Sequence, residues 1–241
     1  MRSATRHQLK QNTFAETTVE TISWAVENRS KLIGAAVVVA VVAALALGGW
    51  AFVNYRNNQA NQELTDAIQK YQAPIRAAGE PASPEVLSYT SVAERAKAAN
   101  ADFTRIADKY SFTRNGRIAR YFAGITSHDM GDNASAEKQL GQVAGSRDAE
   151  IASLAKLALA SIYQDANKTQ PAIDLYKSLI EKPTTSVGKS TAQFELANLY
   201  EANHQPLEAR KLYEQMQKDN PTGQIGQLAA QKLQTLHPPQ P

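Results

Sequence analysis

One segment near the N-terminus is apolar on every side of a predicted helix. The 22 residues from Leu32 to Val53 carry no charge, and Trp50 and Tyr55 stand near the end of the segment, where aromatic side chains favour a membrane interface. At about 1.5 Å per residue, such a helix is roughly 33 Å long, which is enough for the ~30 Å hydrocarbon core of a bilayer. We therefore predict a transmembrane helix over residues 32–53.

A cleavable signal peptide is the alternative interpretation of this segment, because Ala44-Leu45-Ala46 offers the small residues of a cleavage site. The segment is preceded by 31 residues, and its apolar run exceeds the about 7 to 15 residues that are typical of signal peptides. We therefore favour an uncleaved anchor.

The basic residues around the segment predict its orientation. Five precede it, and only Arg56 and Lys70 follow within about twenty residues, so the positive-inside rule retains the N-terminus in the cytoplasm. Residues 1–31 would be a cytoplasmic arm, either an amphipathic helix on the inner leaflet or a frayed tail. Residues 54–241 would be exported, which in a bacterium means a single-pass inner-membrane protein with a periplasmic C-terminal domain.

The exported part has helical periodicity that repeats along the chain. Ala136, Ala172 and Ala209 are 36 and 37 residues apart, and each stands at the same place in a similar segment. Small residues and tyrosines recur around them. The predicted repeat-packing positions are Gly124, Ala136, Ala160, Tyr163, Ala172, Tyr176, Ala197, Tyr200, Ala209 and Tyr213.

Pairs of antiparallel helices explain this pattern. The small residues let two helices approach closely, and the tyrosines fill the space between them. Gly131 and Asn167 stand where a turn needs left-handed or loosely held backbone, and Pro183 and Pro221 stop the second helix of a pair. Because one pair cannot bury its apolar face alone, neighbouring pairs must stack into a solenoid.

The predicted fold is therefore all-α, with an N-terminal transmembrane helix followed by an α-solenoid. Three repeats occupy residues 117–223. Membrane-proximal helices occupy residues 54–116, with one helix reaching about residue 78 and another near 85–110, and they form a possible degenerate repeat. A final helical turn and a Pro-rich tail occupy residues 224–241.

The second and third units resemble the tetratricopeptide repeat. Each has Leu-Ala-x-x-Tyr in its first helix, then Ala, Tyr and Pro in the same order, whereas the first unit has Ser127 in place of the first tyrosine. The whole chain is similar to bacterial single-pass inner-membrane proteins with a periplasmic tetratricopeptide domain, typified by the ancillary subunit of the Sec translocon. That resemblance implies a scaffold beside the translocation channel, which passes exported proteins to chaperones together with a membrane-anchored chaperone of the peptidyl-prolyl isomerase type.

Composition and motifs change this picture little. The first 31 residues hold five of the 26 basic and three of the 23 acidic residues, so the rest of the chain carries 21 and 20 and is nearly neutral, which does not indicate a nucleic-acid surface. The chain has no cysteine and four separated histidines, and it lacks phosphate-loop, nucleophile-elbow and zinc-protease motifs. We expect no enzyme activity, cofactor, metal site or small-molecule substrate, and we interpret Glu195, Glu201 and Glu208 as a solvated face.

Protein partners are the expected ligands, namely translocon subunits, a periplasmic chaperone or an exported client. In repeats of this family the first helix of each pair lines the concave side. Co-chaperones that grip a terminal carboxylate use Lys, Arg and Asn there, and only Asn198 remains at the matching positions, which disfavours that role. The candidate partner-binding groove is Ile118, Tyr121, Ile125, Leu154, Leu157, Ser161, Phe194 and Asn198.

Two alternatives remain open at this point. The groove residues could instead be covered by the preceding helix pair or by the helix near 85–110. The function could also be that of a cytoplasm-facing repeat adaptor, or of an anchor or regulator for an enzyme carried by a partner protein.

Overall fold

The computed structural model describes residues 26, 28–77, 79–81 and 86–236. Most of the N-terminal arm and the Pro-rich tail lie outside the described residues, so the predictions for them stay predictions. The chain divides into two compact units, Met1–Tyr55 and Arg56–Pro241.

The described part of the first unit is helical. It belongs to helix α1, Arg29–Gln72, which continues past the unit boundary. An apolar stretch of this helix has a mean hydropathy of 2.6 and no buried side chain, and the helix is long and apolar enough to cross a membrane.

The second unit is all-α in its described part. Besides the end of α1, its described residues form eight helices: α2 Val92–Lys109, α3 Arg114–Asp129, α4 Asn133–Ala144, α5 Ala149–Asp165, α6 Thr169–Glu181, α7 Lys189–Ala202, α8 Pro206–Asp219 and α9 Gln224–Thr235. The described residues form no strand, and a single parallel bridge joins Ile75 to Tyr89.

These helices stack in chain order. Consecutive helices from α2 to α9 pack against each other, and α3 also contacts α5, as α7 contacts α9. This is the arrangement of a solenoid built from the pairs α3–α4, α5–α6 and α7–α8. The predicted all-α, tetratricopeptide-like fold is confirmed.

Three equivalent turns close the first helices of the pairs. Gly131, Asn167 and His204 have φ values of 82°, 57° and 57°. In each turn the left-handed residue donates its N–H to a carbonyl three residues earlier, and the next residue donates to a carbonyl five residues earlier, as from Lys168 to Tyr163 at 2.7 Å. These two backbone hydrogen bonds together define the Schellman motif. The backbone predicted for Gly131 and Asn167 is confirmed, whereas that of His204 was missed.

Small residues allow the helices of a pair to approach closely. A Cβ atom at Gly124 would lie 2.6 Å from Cγ of Leu140 on α4, and Leu140 is itself fully buried. The other predicted small positions of the three pairs are also fully buried, namely Ala136, Ala160, Ala172, Ala197 and Ala209. Tyr176 and Tyr213 are buried, whereas Tyr163 and Tyr200 are half-buried.

Helix boundaries differ from the predicted ones in four places. Helix α1 ends at Gln72, α2 begins at Val92 and α3 begins at Arg114, where residues 78, 85 and 117 were expected. Past residue 223 the chain forms the 12-residue helix α9 instead of a final turn. Helix α9 fully buries Gly226 and Ala229, and Ile225 and Leu233 pack half-buried against the same core.

The end of α1 packs with α2 and α3 around its own core. Leu64 and Phe103 are buried there with Ala119. Glu63 of α1 accepts hydrogen bonds from Lys109 Nζ at 2.7 Å, from the Tyr110 hydroxyl at 2.6 Å and from Arg105. Burial raises the pKa of Glu63, but these bonds outweigh it and lower the pKa to about 2. The contact fixes α1 to α2.

Candidate functional site

A cavity of about 300 Å³ opens among the first helices of the pairs. Helices α3, α5, α6 and α7 supply its walls, and α5 supplies most of them. We call it the repeat groove, and it is lined by Tyr121, Leu154, Leu157, Ala158, Ser161, Gln164, Tyr176 and Glu195.

The structure brings four of the eight predicted groove residues together in this cavity, namely Tyr121, Leu154, Leu157 and Ser161. Their spacing along α3 and α5 places them on the sides of these helices that face each other. Ser161 is exposed, and the other three are half-buried. The prediction that they bind a partner stays a prediction.

The other four predicted residues serve packing within the repeats. Ile118 and Ile125 pack against the core around Leu140. Phe194 lies with its ring centroid 5.9 Å from that of Tyr213. Asn198 accepts a hydrogen bond from the Tyr213 hydroxyl at 2.9 Å. We therefore place none of the four in the repeat groove.

Among the described residues, helix α2 packs on a side of α3 away from the repeat groove and does not cover its apolar floor. Ala119 and Ala123 face α2 and are fully buried against Phe103 and its neighbours. Phe122 stacks on Phe103 at 5.1 Å between ring centroids, and Tyr121 lies beyond it at 5.3 Å. Burial raises the pKa of Tyr121. The floor thus combines an aromatic ring with the leucines of α5.

The polar wall of the repeat groove comes from residues that the sequence did not single out for it. Tyr176 of α6 and Glu195 of α7 line the cavity with Gln164. Burial, and then the negative charges of Glu195 and Asp165, raise the pKa of Tyr176. Two carboxylates therefore act on the same hydroxyl, and the wall presents negative charge beside the apolar floor.

Glu201, nearly two turns further along α7, is a carboxylate with partners inside the fold. Glu201 accepts a hydrogen bond from Tyr213 and lies 3.3 Å from Lys232 Nζ of α9. Burial, and then the hydrogen bond to Glu201, raise the pKa of Tyr213. Glu201 is thus engaged within the fold and is not part of the solvated face predicted for it. Glu208, by contrast, forms an exposed pair with Lys211 at 2.7 Å.

Comparison with known proteins agrees with this architecture. A sequence profile of the tetratricopeptide repeat-like domain matches residues 23–238, which is nearly the whole chain. The chain belongs to the tetratricopeptide repeat-like domain family.

A solved structure supports the same fold for this tetratricopeptide repeat-like protein. It is a crystal structure of nearly identical TPR-like repeats described as a kinesin light chain of Podosopora anserina, with a TM-score of 0.55 and 16% sequence identity. The similarity covers 75% of this chain and 86% of that chain. At this identity the likeness shows a shared fold. A comparison with curated proteins gave no match.

Tetratricopeptide-like repeats are typical of protein–protein interaction scaffolds, because stacked helix pairs present extended binding surfaces. The described residues contain no group of three or more histidine, aspartate or glutamate side chains placed to hold a metal ion. His128 instead lies with Nδ1 2.8 Å from Asn133 Oδ1, at the turn that closes α3.

A second and larger depression lies elsewhere on the repeats. Its volume is about 650 Å³, and it is formed by α6 together with the turn between α7 and α8. Leu207 is 55% exposed there. We call it the turn depression, and it is lined by Gln170, Ile173, Lys177, Tyr200, His204, Gln205, Pro206, Leu207 and Glu208. This surface is not evident from the sequence, because most of its residues come from the second helices and from a turn.

Proposed function

We propose that this chain is a membrane-anchored protein–protein interaction scaffold of the bacterial cell envelope. In this proposal residues 32–53 cross the inner membrane, the N-terminal arm stays in the cytoplasm, and the repeat domain lies in the periplasm. The uncharged stretch of α1, which is long and apolar enough to cross a membrane, and the excess of basic residues before it support this topology.

The observation that carries the proposal is the repeat groove. An apolar floor of Tyr121, Leu154 and Leu157 stands beside the polar groups of Ser161, Gln164 and Glu195. A convergence of apolar surface and a few polar groups is what a site for an extended segment or a partner helix requires. The groove contains the shape and bonding groups for recognition, and its role is to hold a partner rather than to make or break bonds.

Anchoring would be part of the mechanism. A repeat domain confined to the membrane meets membrane-bound partners at a raised effective concentration, without any new contact. We propose that it assists the translocation of exported proteins or their transfer to chaperones, with translocon subunits, a periplasmic chaperone or the exported chain as partner.

Site-specific photo-crosslinking in native membranes tests this proposal. A photoreactive amino acid replaces Ser161 in the repeat groove, Leu207 in the turn depression, or Gly141, which is exposed on α4 and has open space around it. We expect adducts with translocon, chaperone or exported proteins from position 161 and none from position 141. Adducts from position 207 alone would show that the partner binds at the turn depression instead. Equal adducts from all three positions, or none from position 161, would contradict the proposed role of the groove.

A further inference from the structure

We propose that the repeat groove selects partner segments in which a lysine or arginine stands next to an apolar side chain, with Glu195 receiving the cation. This inference rests on the proposed function, and it adds the chemistry of the segment that is held. It is argued from the bonding partners of the half-buried carboxylates and from the residues that line the repeat groove.

Glu195 differs from every other half-buried carboxylate in the part of the chain that the structure describes. Five of the others pair with lysine or arginine: Glu63, Asp102, Glu137, Asp148 and Glu201. Asp129 accepts a hydrogen bond from the Tyr71 hydroxyl at 2.7 Å, and Glu150 accepts one from the Ser186 amide at 2.8 Å.

Within the described residues, Glu195 alone of this set has neither a hydrogen bond nor an ion pair, although it is half-buried. A carboxylate accepts hydrogen bonds at both of its oxygens. Because the described part of the fold supplies no partner, the carboxylate has its full capacity to accept hydrogen bonds from a ligand.

The surroundings of Glu195 favour a cation over a neutral donor. No lysine or arginine lines the repeat groove, so nothing in the cavity offsets the charge. The nearby Asp165 adds a second negative charge, since both carboxylates act on the Tyr176 hydroxyl. Asp165 itself is 61% exposed and lies 3.8 Å from His128 Nε2. An ammonium or guanidinium group would form charge-assisted hydrogen bonds here, which are stronger than neutral ones.

The apolar side chains of the repeat groove determine which kind of side chain must stand next to the basic one in a bound segment. Leu154, Leu157 and Ala158 offer apolar surface next to the carboxylate, and a segment of basic residues alone would leave this surface exposed to water. A segment that carries one apolar side chain beside one basic side chain fills both parts. An acidic segment would meet like charges and would be rejected.

Peptide binding to the full-length protein in detergent micelles tests the inference. The probes are three 12-residue peptides with the same leucine-containing sequence and either two lysines, two glutamines or two glutamates at the same positions. Fluorescence anisotropy gives the dissociation constant of each, and the protein is tested as wild type, Glu195→Gln and Glu181→Gln. Glu181 is an exposed carboxylate on α6, so its variant removes the same charge at a different place.

We expect the wild type to bind the lysine peptide about ten-fold more tightly than the glutamine peptide, as for a charge-assisted bond, and the glutamate peptide most weakly. Glu195→Gln should abolish this preference without changing affinity for the glutamine peptide, and Glu181→Gln should keep it. Far-UV circular dichroism checks that the variants stay folded.

Three results would overturn the inference, and only one of them would also overturn the function beneath it. Equal affinity of the wild type for all three peptides would overturn the charge selection and leave a groove for apolar segments. Absence of binding to any peptide would overturn both. A lysine preference that persists in Glu195→Gln would assign the cation to another group and would also overturn the inference.

Discussion

Replacement of Gly124 by alanine tests the close approach of α3 and α4. The new Cβ would lie 2.6 Å from Leu140 Cγ, 2.9 Å from Cδ2 and 3.3 Å from the backbone nitrogen of the same residue, whereas carbon atoms pack best at about 3.5–4.0 Å. Leu140 is fully buried and cannot move into solvent. Overpacking of this kind lowers the free energy of unfolding by about 1–3 kcal/mol. The higher helix propensity of alanine raises it by about 1 kcal/mol. We expect a net loss of up to about 2 kcal/mol.

Gly141 provides the matched control for this experiment. It lies inside α4, and a Cβ there meets nothing within 4 Å, so Gly141→Ala should stabilise the protein by up to about 1 kcal/mol. Urea unfolding of the full-length protein in micelles, followed by far-UV circular dichroism, gives both free energies of unfolding. In a Leu140→Ala background, where the clash is gone, Gly124→Ala should become stabilising. Destabilisation that persists in that background, or equal effects at the two glycines, would refute the packing argument.

Two further predictions concern a charge cluster and a turn. The pKa of Glu63 is about 2 in the folded protein, below the ordinary value, so its contribution to stability is present above pH ~4.5 and is lost as the pH falls towards 2. Because Lys109 and Arg105 are about half exposed, we expect this contribution to be about 1–2 kcal/mol. Urea titrations between pH 2 and 7 should show that Glu63→Gln has a flatter pH dependence than the wild type; identical profiles would contradict this. His204→Gly should raise the free energy of unfolding by about 0.5–1 kcal/mol and Gly131→Ala should lower it by about 1 kcal/mol, because both positions have left-handed backbone. If thermal unfolding shifted the midpoints of both variants in the same direction, this prediction would be refuted.

The sequence predicted the repeat architecture well because its signal is periodic. Small residues 36 and 37 residues apart, with tyrosines and prolines at fixed offsets, are produced by the same helix contact repeated along the chain. Asn167 was recognised at a turn because asparagine tolerates left-handed backbone. His204 has the same φ of 57°, but histidine has a weaker preference for that conformation and gives no comparable signal.

Helix ends were harder to predict, since contacts with neighbouring helices decide them. Gly116 and Gly226 each stand where a Cβ would lie within 2 Å of the last carbonyl oxygen of the preceding helix, that of Tyr110 or Asn220. These glycines let α3 and α9 begin closely against α2 and α8. Glycine within a helical pattern is otherwise expected to destabilise the helix, so the sequence does not indicate the start of α9.

The repeat groove was predicted only in part. Periodicity identifies which side of a helix faces its neighbours, and this placed Tyr121, Leu154 and Leu157 in one area. It does not show which polar residues have partners. Glu195 and Glu201 are six residues apart and were both interpreted as solvated, yet Glu201 bonds to Tyr213 and Lys232, whereas Glu195 lines the cavity. The difference depends on which side chains of α8 and α9 lie near each carboxylate.

The most direct test of a membrane-anchored scaffold with an occupied groove is the rate of cysteine modification in intact spheroplasts. The chain has no cysteine, so Ser161→Cys and Gly141→Cys each give a single reactive site, and a membrane-impermeant maleimide reports on both. We predict that both cysteines react without lysis, and that position 161 reacts more slowly in membranes than in purified protein while position 141 reacts at the same rate in each. A requirement for lysis at both positions would contradict the topology, and an unchanged rate at position 161 would contradict the partner.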